Sequence, residues 1–391
     1  MAKGSLGVLC VSPSPLLAAC LSLCYPLLVP TRTKSTWMLY GAYGFTGRLL
    51  LAEAVRRGHR PVLAGRNAAK LAALATQYDL DWLALDLDYA ERLNKTIERF
   101  TLVFHAAGPF VYTSEPMVRA CLAGQTHYLD ITGELPVFES VFARDAEARA
   151  RGVVLMSGAG YDIVPSDCLA RHVADRVPGA TQLETALVAL ADLSSGTVKS
   201  ALVNANRYPG GSLTRRDGRL APTPLGKGRR KVRFSDGRVR DVTPFPWGDL
   251  VTAYHTTGIG NITTYLALPP LPGMGLLSRP ALKVLGQGAV QKLADRAATW
   301  MFTGPDEEAQ RKGRTYLWAR AAGPDGAAEA WLETGEVYRF TALAGVRLVE
   351  RVLAAGKRDE PPLAGALTPA GAFGADFVLD IEGVRRFDSL H

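Results

Sequence analysis

The stretch Gly41-Ala42-Tyr43-Gly44-Phe45-Thr46-Gly47 stands directly after the short apolar run 36–40 and directly before a helix-forming segment, 48–57, closed by Gly58. Strand, glycine-rich turn and helix in that order are what a mononucleotide-binding unit requires. Gly41 lets the chain turn off the strand, Gly44 lets backbone approach a diphosphate, and Gly47 lets the helix lie against the sheet. Phe45, Thr46 and Gly47 then offer free N–H groups at the positive end of the helix dipole.

Reading outward, the second strand, 61–64, ends in Gly65-Arg66-Asn67. A site for NAD places an acid here to bind the ribose 2′-hydroxyl, whereas an arginine suits a 2′-phosphate. Arg66, with Asn67 and Lys70 as helpers, therefore points to NADP(H). Asp86, after the third strand 82–85, is placed under the adenine. The fourth strand, 102–107, opens into Gly108-Pro109-Phe110 and faces the nicotinamide half; the small residues from Ala106 to Gly108 let the dinucleotide pass, which makes Ala107, Gly108 and Pro109 candidate cofactor contacts. Helices at 68–78, 115–124 and 137–151 and strands at 128–131 and 153–156 complete the alternation. That alternation implies a doubly wound parallel sheet.

The same residues, with Tyr128-Leu129-Asp130-Ile131-Thr132-Gly133-Glu134 and Gly158-Ala159-Gly160-Tyr161-Asp162-Ile163-Val164-Pro165-Ser166-Asp167, resemble the saccharopine dehydrogenase-like oxidoreductases. Within that family the resemblance is to the trans-acting enoyl reductases of bacterial lipid biosynthesis. Gly304-Pro305-Asp306-Glu307-Glu308 and Leu367-Thr368-Pro369-Ala370-Gly371 extend it over roughly 36–379. The resemblance implies an NADP-type Rossmann domain, a second α+β domain and a site between them.

The expected organisation is α/β: an apolar, poorly ordered extension at 1–35, a Rossmann domain at 36–170, and an α+β domain with a mixed or antiparallel sheet at 171–350. Residues 351–391 are expected to pack back on the Rossmann domain. Strands are expected at 183–190, 231–234, 239–242, 252–257, 263–268, 316–321 and 328–332, with helices at 168–177, 198–205, 271–302 and 341–353. Pro13, Pro15 and Pro26 interrupt the apolar leader and Lys3 is its lone cation, which argues against export and leaves a weak membrane anchor as the alternative.

The formal charge of +8 is wholly local: 214–240 carries ten Lys and Arg against two Asp, and the remainder is balanced. Such a segment is either a solvated hairpin or a surface for anionic lipid or an acidic carrier protein. No helix-turn-helix, zinc or aromatic-stacking pattern accompanies it, so nucleic acid ranks third behind these readings and is not the expected partner. Cys121 and Cys168 stand alone in the body, and the six histidines have no ligand spacing, so no disulfide frame or metal site is expected. A reduced, cytoplasmic protein with peripheral membrane contact as an option fits these features.

Hydride transfer asks the protein for orientation, electrostatics and sometimes one proton donor. By position, Tyr112, Asp130, Asp162 and Ser166 are the candidates, with Tyr128 beside them and Tyr254 and His255 reaching from a second-domain strand. The expected substrate is a small hydrophobic acyl or lipid-like molecule reduced at C=C or C=O. C–N chemistry on an amino-acid conjugate and a non-catalytic nucleotide-binding role at a lipid surface are the alternatives.

Overall fold

All four residues of β1 (Trp37–Tyr40) are buried, because both faces of the strand are covered. The computed structural model describes residues 37–188, 211–224, 226–267, 307–355 and 363–390. The expectations for 1–35, for the helices at 198–205 and 271–302, and for the motif at 304–306 lie outside them.

Chain order from β1 runs through α1 (Phe45–Arg56), β2 (Val62–Gly65), α2 (Ala68–Tyr78), β3 (Trp82–Ala84), α3 (Ala90–Ile97) and β4 (Leu102–His105). It continues through α4 (Phe110–Ala123), β5 (His127–Asp130), α5 (Leu135–Phe142), α6 (Asp145–Arg151), β6 (Val154–Met156) and α7 (Val164–Asp175). With the late strand β15 (Gly365–Ala366), the sheet order is β15-β6-β5-β4-β1-β2-β3, seven strands, all paired in parallel. The order reverses between β1 and β4, which is where an open α/β sheet leaves a crevice for ligand. Strand periodicity sorts the side chains to two cores. Leu39, Leu63, Phe104 and Leu129 face α1, α2 and α7, whereas Met38, Val62, Val103 and Tyr128 face α3 to α6. Each such fully buried aliphatic contributes about 1.5–3 kcal/mol.

The second sheet has nine strands: β7 (Gln182–Val188), β8 (Gly211–Arg216), β9 (Arg219–Pro224), β10 (Arg230–Arg233), β11 (Val239–Pro244), β12 (Asn261–Ala267), β13 (Arg314–Gly323), β14 (Gly326–Gly335) and β16 (Arg385–Phe387). It is mixed, since β12 pairs with β7 in parallel and its other pairings are antiparallel. The short helix α9 (Glu307–Lys312) precedes β13, and the long helix α10 (Val337–Ala354) leaves this sheet and packs on the first one through Phe340, Ala344 and Leu348.

Several expectations are corrected. Residues 252–257 form no strand but belong to the helix α8 (Asp249–Thr257), which buries Leu250, Val251 and Ala253 and ends at Gly258 with φ +72°. Its threonines and valine favour strands, yet burial of one helical face decides the outcome. The single helix expected at 137–151 is two, α5 and α6. The segment 351–391 divides: β15 joins the first sheet beside β6, and β16 joins the second beside β14. Between them lie the short helix α11 (Pro369–Phe373) and a 3-10 turn, Ala375–Asp380.

The basic segment becomes two hairpins. The β8–β9 turn is Asp217-Gly218, both residues at positive φ (47° and 76°), the backbone a two-residue hairpin of type I′ demands. Among the described residues, four of the ten cations have internal partners. Arg230 pairs with Glu184, Arg240 with Asp236 and Lys231 with Asp241, while Arg215 is buried on backbone carbonyls. Among the described residues no helix is long and apolar enough to cross a membrane.

Candidate functional site

The loops that follow β1, β2, β4, β5 and β6 share one edge of the first sheet, because the strands are parallel. Gly41 sits at φ +86°, and a β-carbon there would come within 2.8 Å of the Ala106 carbonyl carbon and 2.9 Å of the Ala107 β-carbon. The turns after β1 and β4 thus touch at the switch point. Gly44 N–H donates to Gly41 O at 2.9 Å, closing the turn. Gly44 then begins α1 without any side-chain cap, and the first turn holds no acid. The amides of Phe45, Thr46 and Gly47 therefore face outward at a positive helix end, an arrangement that suits an anion. Phe45 also has a packing duty, its ring edge-on to Tyr338 at 5.0 Å.

Arg66, the first residue past β2, is exposed and has no hydrogen bond or ion pair among the described residues. Beside it the Tyr43 ring lies on Gly65, where a β-carbon would approach Cε1 to 2.7 Å. Lys70 Nζ stands 5.7 Å from that ring. Asn67 caps α2, its Oδ1 accepting from Lys70 N–H at 2.9 Å. Asp86 is exposed and takes the Asp88 N–H at 3.2 Å. Around the β4 loop, Thr113 Oγ1 donates to Ala107 O at 2.8 Å, and the Gly108-Pro109 bond is cis.

The four proton-donor candidates separate by environment. Asp130 is fully buried and accepts from Ser157 Oγ at 2.7 Å, Thr132 N–H at 2.9 Å and Gly158 N–H at 3.1 Å. Burial pushes its carboxyl up to about 6 despite those bonds, and its work is to tie the loops after β5 and β6 together. Ser166 is equally enclosed, its Oγ 2.7 Å from Asp249 Oδ1 and 3.1 Å from Ile163 O. Tyr112 is 64 % exposed in the first turn of α4. Asp162 differs from all three. It lies in the loop after β6, with an oxygen 2.7 Å from where a β-carbon on Gly133 would be. Its carboxyl makes no hydrogen bond among the described residues, and burial, with the negative Glu134 nearby, pushes it up to about 6. Tyr128 is buried beneath the site with its hydroxyl 3.1 Å from His105 Nδ1, and burial drives that histidine down to about 3. Tyr254 and His255 belong to α8, not to a strand end.

Three acids at or near the site are absent from the sequence-based candidates. Glu134 is 1 % exposed and accepts from Val111 N–H at 2.7 Å and Phe110 N–H at 3.1 Å, capping α4 where the small-residue loop ends. Asp167 accepts from Thr256 Oγ1 at 2.5 Å and from Ala370 N–H at 2.8 Å, fastening α7 to α8 and α11. Asp249 accepts from Ser166 and, at 3.1 Å, from Thr185 Oγ1. Glu134 has a local signal, standing in the same short motif as Asp130. The partners of Asp249 lie 83 and 64 residues away, which no local pattern reveals.

The sequence and the fold have counterparts in known proteins. Residues 37–156 match the family model for the saccharopine dehydrogenase NADP binding domain. The chain is 24 % identical over 237 residues to the bovine saccharopine dehydrogenase-like oxidoreductase, covering 53 % of this chain and 54 % of that protein. It is 32 % identical over 149 residues to a trans-acting enoyl reductase of Mycobacterium leprae, covering 35 % of each. At the level of fold, the apo saccharopine dehydrogenase (L-Glu forming) of Saccharomyces cerevisiae superposes with a TM-score of 0.58 at 13 % identity, covering 90 % of this chain and 100 % of that one. The matched region spans about half the length of the saccharopine dehydrogenase-like relatives and less of the enoyl reductase.

Proposed function

We propose that this chain is an NADP(H)-dependent oxidoreductase that reduces a polarised C=C or C=O bond in a hydrophobic acyl or polyketide-type substrate. The observation that carries the reading is Arg66: an exposed guanidinium without an internal partner among the described residues, one residue past β2 and beside the glycine turn. A free guanidinium there suits a 2′-phosphate, which it engages with two parallel N–H donors. The match of residues 37–156 to an NADP-binding family model supports the same reading. The substrate class rests on similarity to the mycobacterial enoyl reductase.

The protein's own contributions follow from the site. The amides of residues 45–47 hold the diphosphate. Glu134 fixes the Phe110 and Val111 amides, and with them the loop over which the nicotinamide would lie. Asp162 delivers a proton, since a carboxyl raised to about 6 lies close enough to neutrality to be protonated in part and to exchange its hydrogen, and it makes no hydrogen bond among the described residues. When bound, the dinucleotide supplies the hydride.

Calorimetric titration with NADPH and NADH, followed by NADPH oxidation with a panel of enoyl thioesters, tests the reading. NADPH binding tighter than NADH, with turnover on at least one thioester, is expected. Asp162→Asn should cut turnover about 100-fold or more while leaving NADPH affinity intact. No affinity for either nucleotide would sink the cofactor assignment, and binding without turnover would sink the enoyl chemistry alone.

A further inference from the structure

Away from the glycine turn, a groove of about 310 Å³ opens between α5 and α8, lined by Glu139, Phe142, Arg215, Val251, Tyr254 and His255. α5 begins at the cofactor edge with Leu135 and carries Phe142 at its far end, about 10 Å further along the helix axis. The groove is therefore separate from the nucleotide cradle, and nothing in the proposed reduction uses its residues.

Its defining feature is Arg215, which is 7 % exposed yet has no carboxylate within ion-pair distance among the described residues. Nε donates to Leu250 O and Nη1 to Gly218 O, each at 2.5 Å, and the guanidinium lies 4.3 Å from the Tyr254 ring centre. Two carbonyls and an aromatic face hold the group in place, and Nη2 has no partner among the described residues. Carbonyls and a ring face offset only part of the cost of burying a cation, so an anion that pairs with the guanidinium gains what no carboxylate supplies among the described residues. Burial pulls the Arg215 pKa down, and its charge adds to the burial that lowers His255. The nearby acids do not neutralise it. Glu139 is exposed at the rim, and Asp145 is occupied by Arg149 and the Ala366 N–H. Alongside, the His255 and Phe142 rings stack at 3.7 Å and 7°, making a flat wall over the apolar floor of Val251.

From this geometry we infer that the groove binds an organic anion with a flat apolar body, its carboxylate or phosphate seated on Arg215 and its body against the Phe142–His255 stack. The groove takes this ligand whether or not the cradle holds a dinucleotide. Isothermal titration of the full chain with 2-naphthoate, 2-naphthyl phosphate and uncharged 2-naphthylmethanol tests it, and the two anions decide between carboxylate and phosphate. Both anions, or one, should bind at least about tenfold tighter than the alcohol, because only they pair the buried cation. Excess NADPH should leave that binding unchanged.

Glu139→Gln removes a repelling rim charge and should tighten anion binding about threefold. His255→Ala removes half of the stack and should weaken it about threefold. Both residues are exposed, so these variants read the groove even if Arg215→Met, expected to lose binding about tenfold, fails to fold. The proposal is overturned if the alcohol binds as well as the anions, if neither anion binds, if NADPH displaces them, or if both surface variants bind like the unaltered protein.

Discussion

Gly47 lies against the carbonyl oxygen of Gly41 so closely that no β-carbon fits between them. The obstacle is backbone on both sides, since the same β-carbon would also stand 3.0 Å from the Ala42 carbonyl. Helix α1 can therefore accept a side chain here only by moving away from the turn that it helps to shape. Gly47→Ala is expected to cost about 1–3 kcal/mol, the usual penalty of overpacking. It should also weaken dinucleotide binding, because the amides of residues 45–47 move with the helix. Thermal melting and calorimetry on one preparation check both effects; a variant that melts and binds like the parent refutes the account.

Arg66 supplies a sharper test because it has no hydrogen bond or ion pair to lose among the described residues. Arg66→Gln should weaken NADPH about 10- to 100-fold, the worth of a charge-assisted pair to a phosphate. NADH, which lacks the 2′-phosphate, should change by no more than about twofold, and stability should not move. Equal losses for both nucleotides would mean that Arg66 serves something other than the 2′-phosphate.

At the other end of the crevice, Glu134 takes two backbone amides with one carboxylate. Glutamine offers a single acceptor oxygen, so Glu134→Gln leaves one of the Phe110 and Val111 amides unpaired and removes a negative charge from the start of α4. Together these should cost about 1–3 kcal/mol. Amide hydrogen exchange at Phe110 and Val111 should accelerate more than at the middle of the helix. Unchanged protection at both amides would show that the carboxylate is not what holds them.

The parts of this fold that are legible in the sequence are those whose controlling interactions are local. The β1 strand, the glycine turn and Arg66 all fall between Trp37 and Arg66, and each carries its meaning in residue type and offset. The β8–β9 hairpin is equally local, its turn marked by Asp217-Gly218 within the basic segment for which a solvated hairpin is one of the expectations. α8 resembles a strand for a physical reason. Val251, Thr252, Thr256 and Thr257 favour strands one by one, whereas the packing that makes them helical comes from α7 and α5, far upstream in the chain. Asp130 and Ser166 look like catalytic groups in sequence, because polar residues at strand ends do. Only their partners reveal that they spend their hydrogen bonds holding loops and helices together.

Asp249 extends that structural role into a dependence on pH. Its carboxyl is fully buried between Ser166 Oγ and Thr185 Oγ1, and burial, with Asp167 and Asp162 close by, pushes it up to about 7. In the unfolded chain an aspartate titrates near 3.8. Between those values the native state binds more protons than the unfolded state, so this group's contribution is full below about pH 4 and is lost as pH rises through 7. Asp130, Asp162 and Asp167, each pushed up to about 6, act in the same direction. Glu350, which burial would raise, is held down to about 2 by bonds from Arg57, His59 and Arg347, and opposes them only below about pH 4.5. His105, driven down to about 3 by burial, and His127 and His255, lowered by burial too, oppose the aspartates below about pH 6.5, so melting temperature should fall most clearly from pH 6.5 to pH 8. In Asp249→Asn, the Ser166 hydroxyl can turn to Ile163 O and accept from the new amide, so no proton has to be surrendered. That variant should show a flatter profile and exceed the parent at pH 8 by about 1 kcal/mol or more. A parent profile that is level from about pH 6.5 to pH 8, or an asparagine variant with an undiminished slope, would show that the buried carboxyl between α7 and α8 does not titrate as its surroundings require.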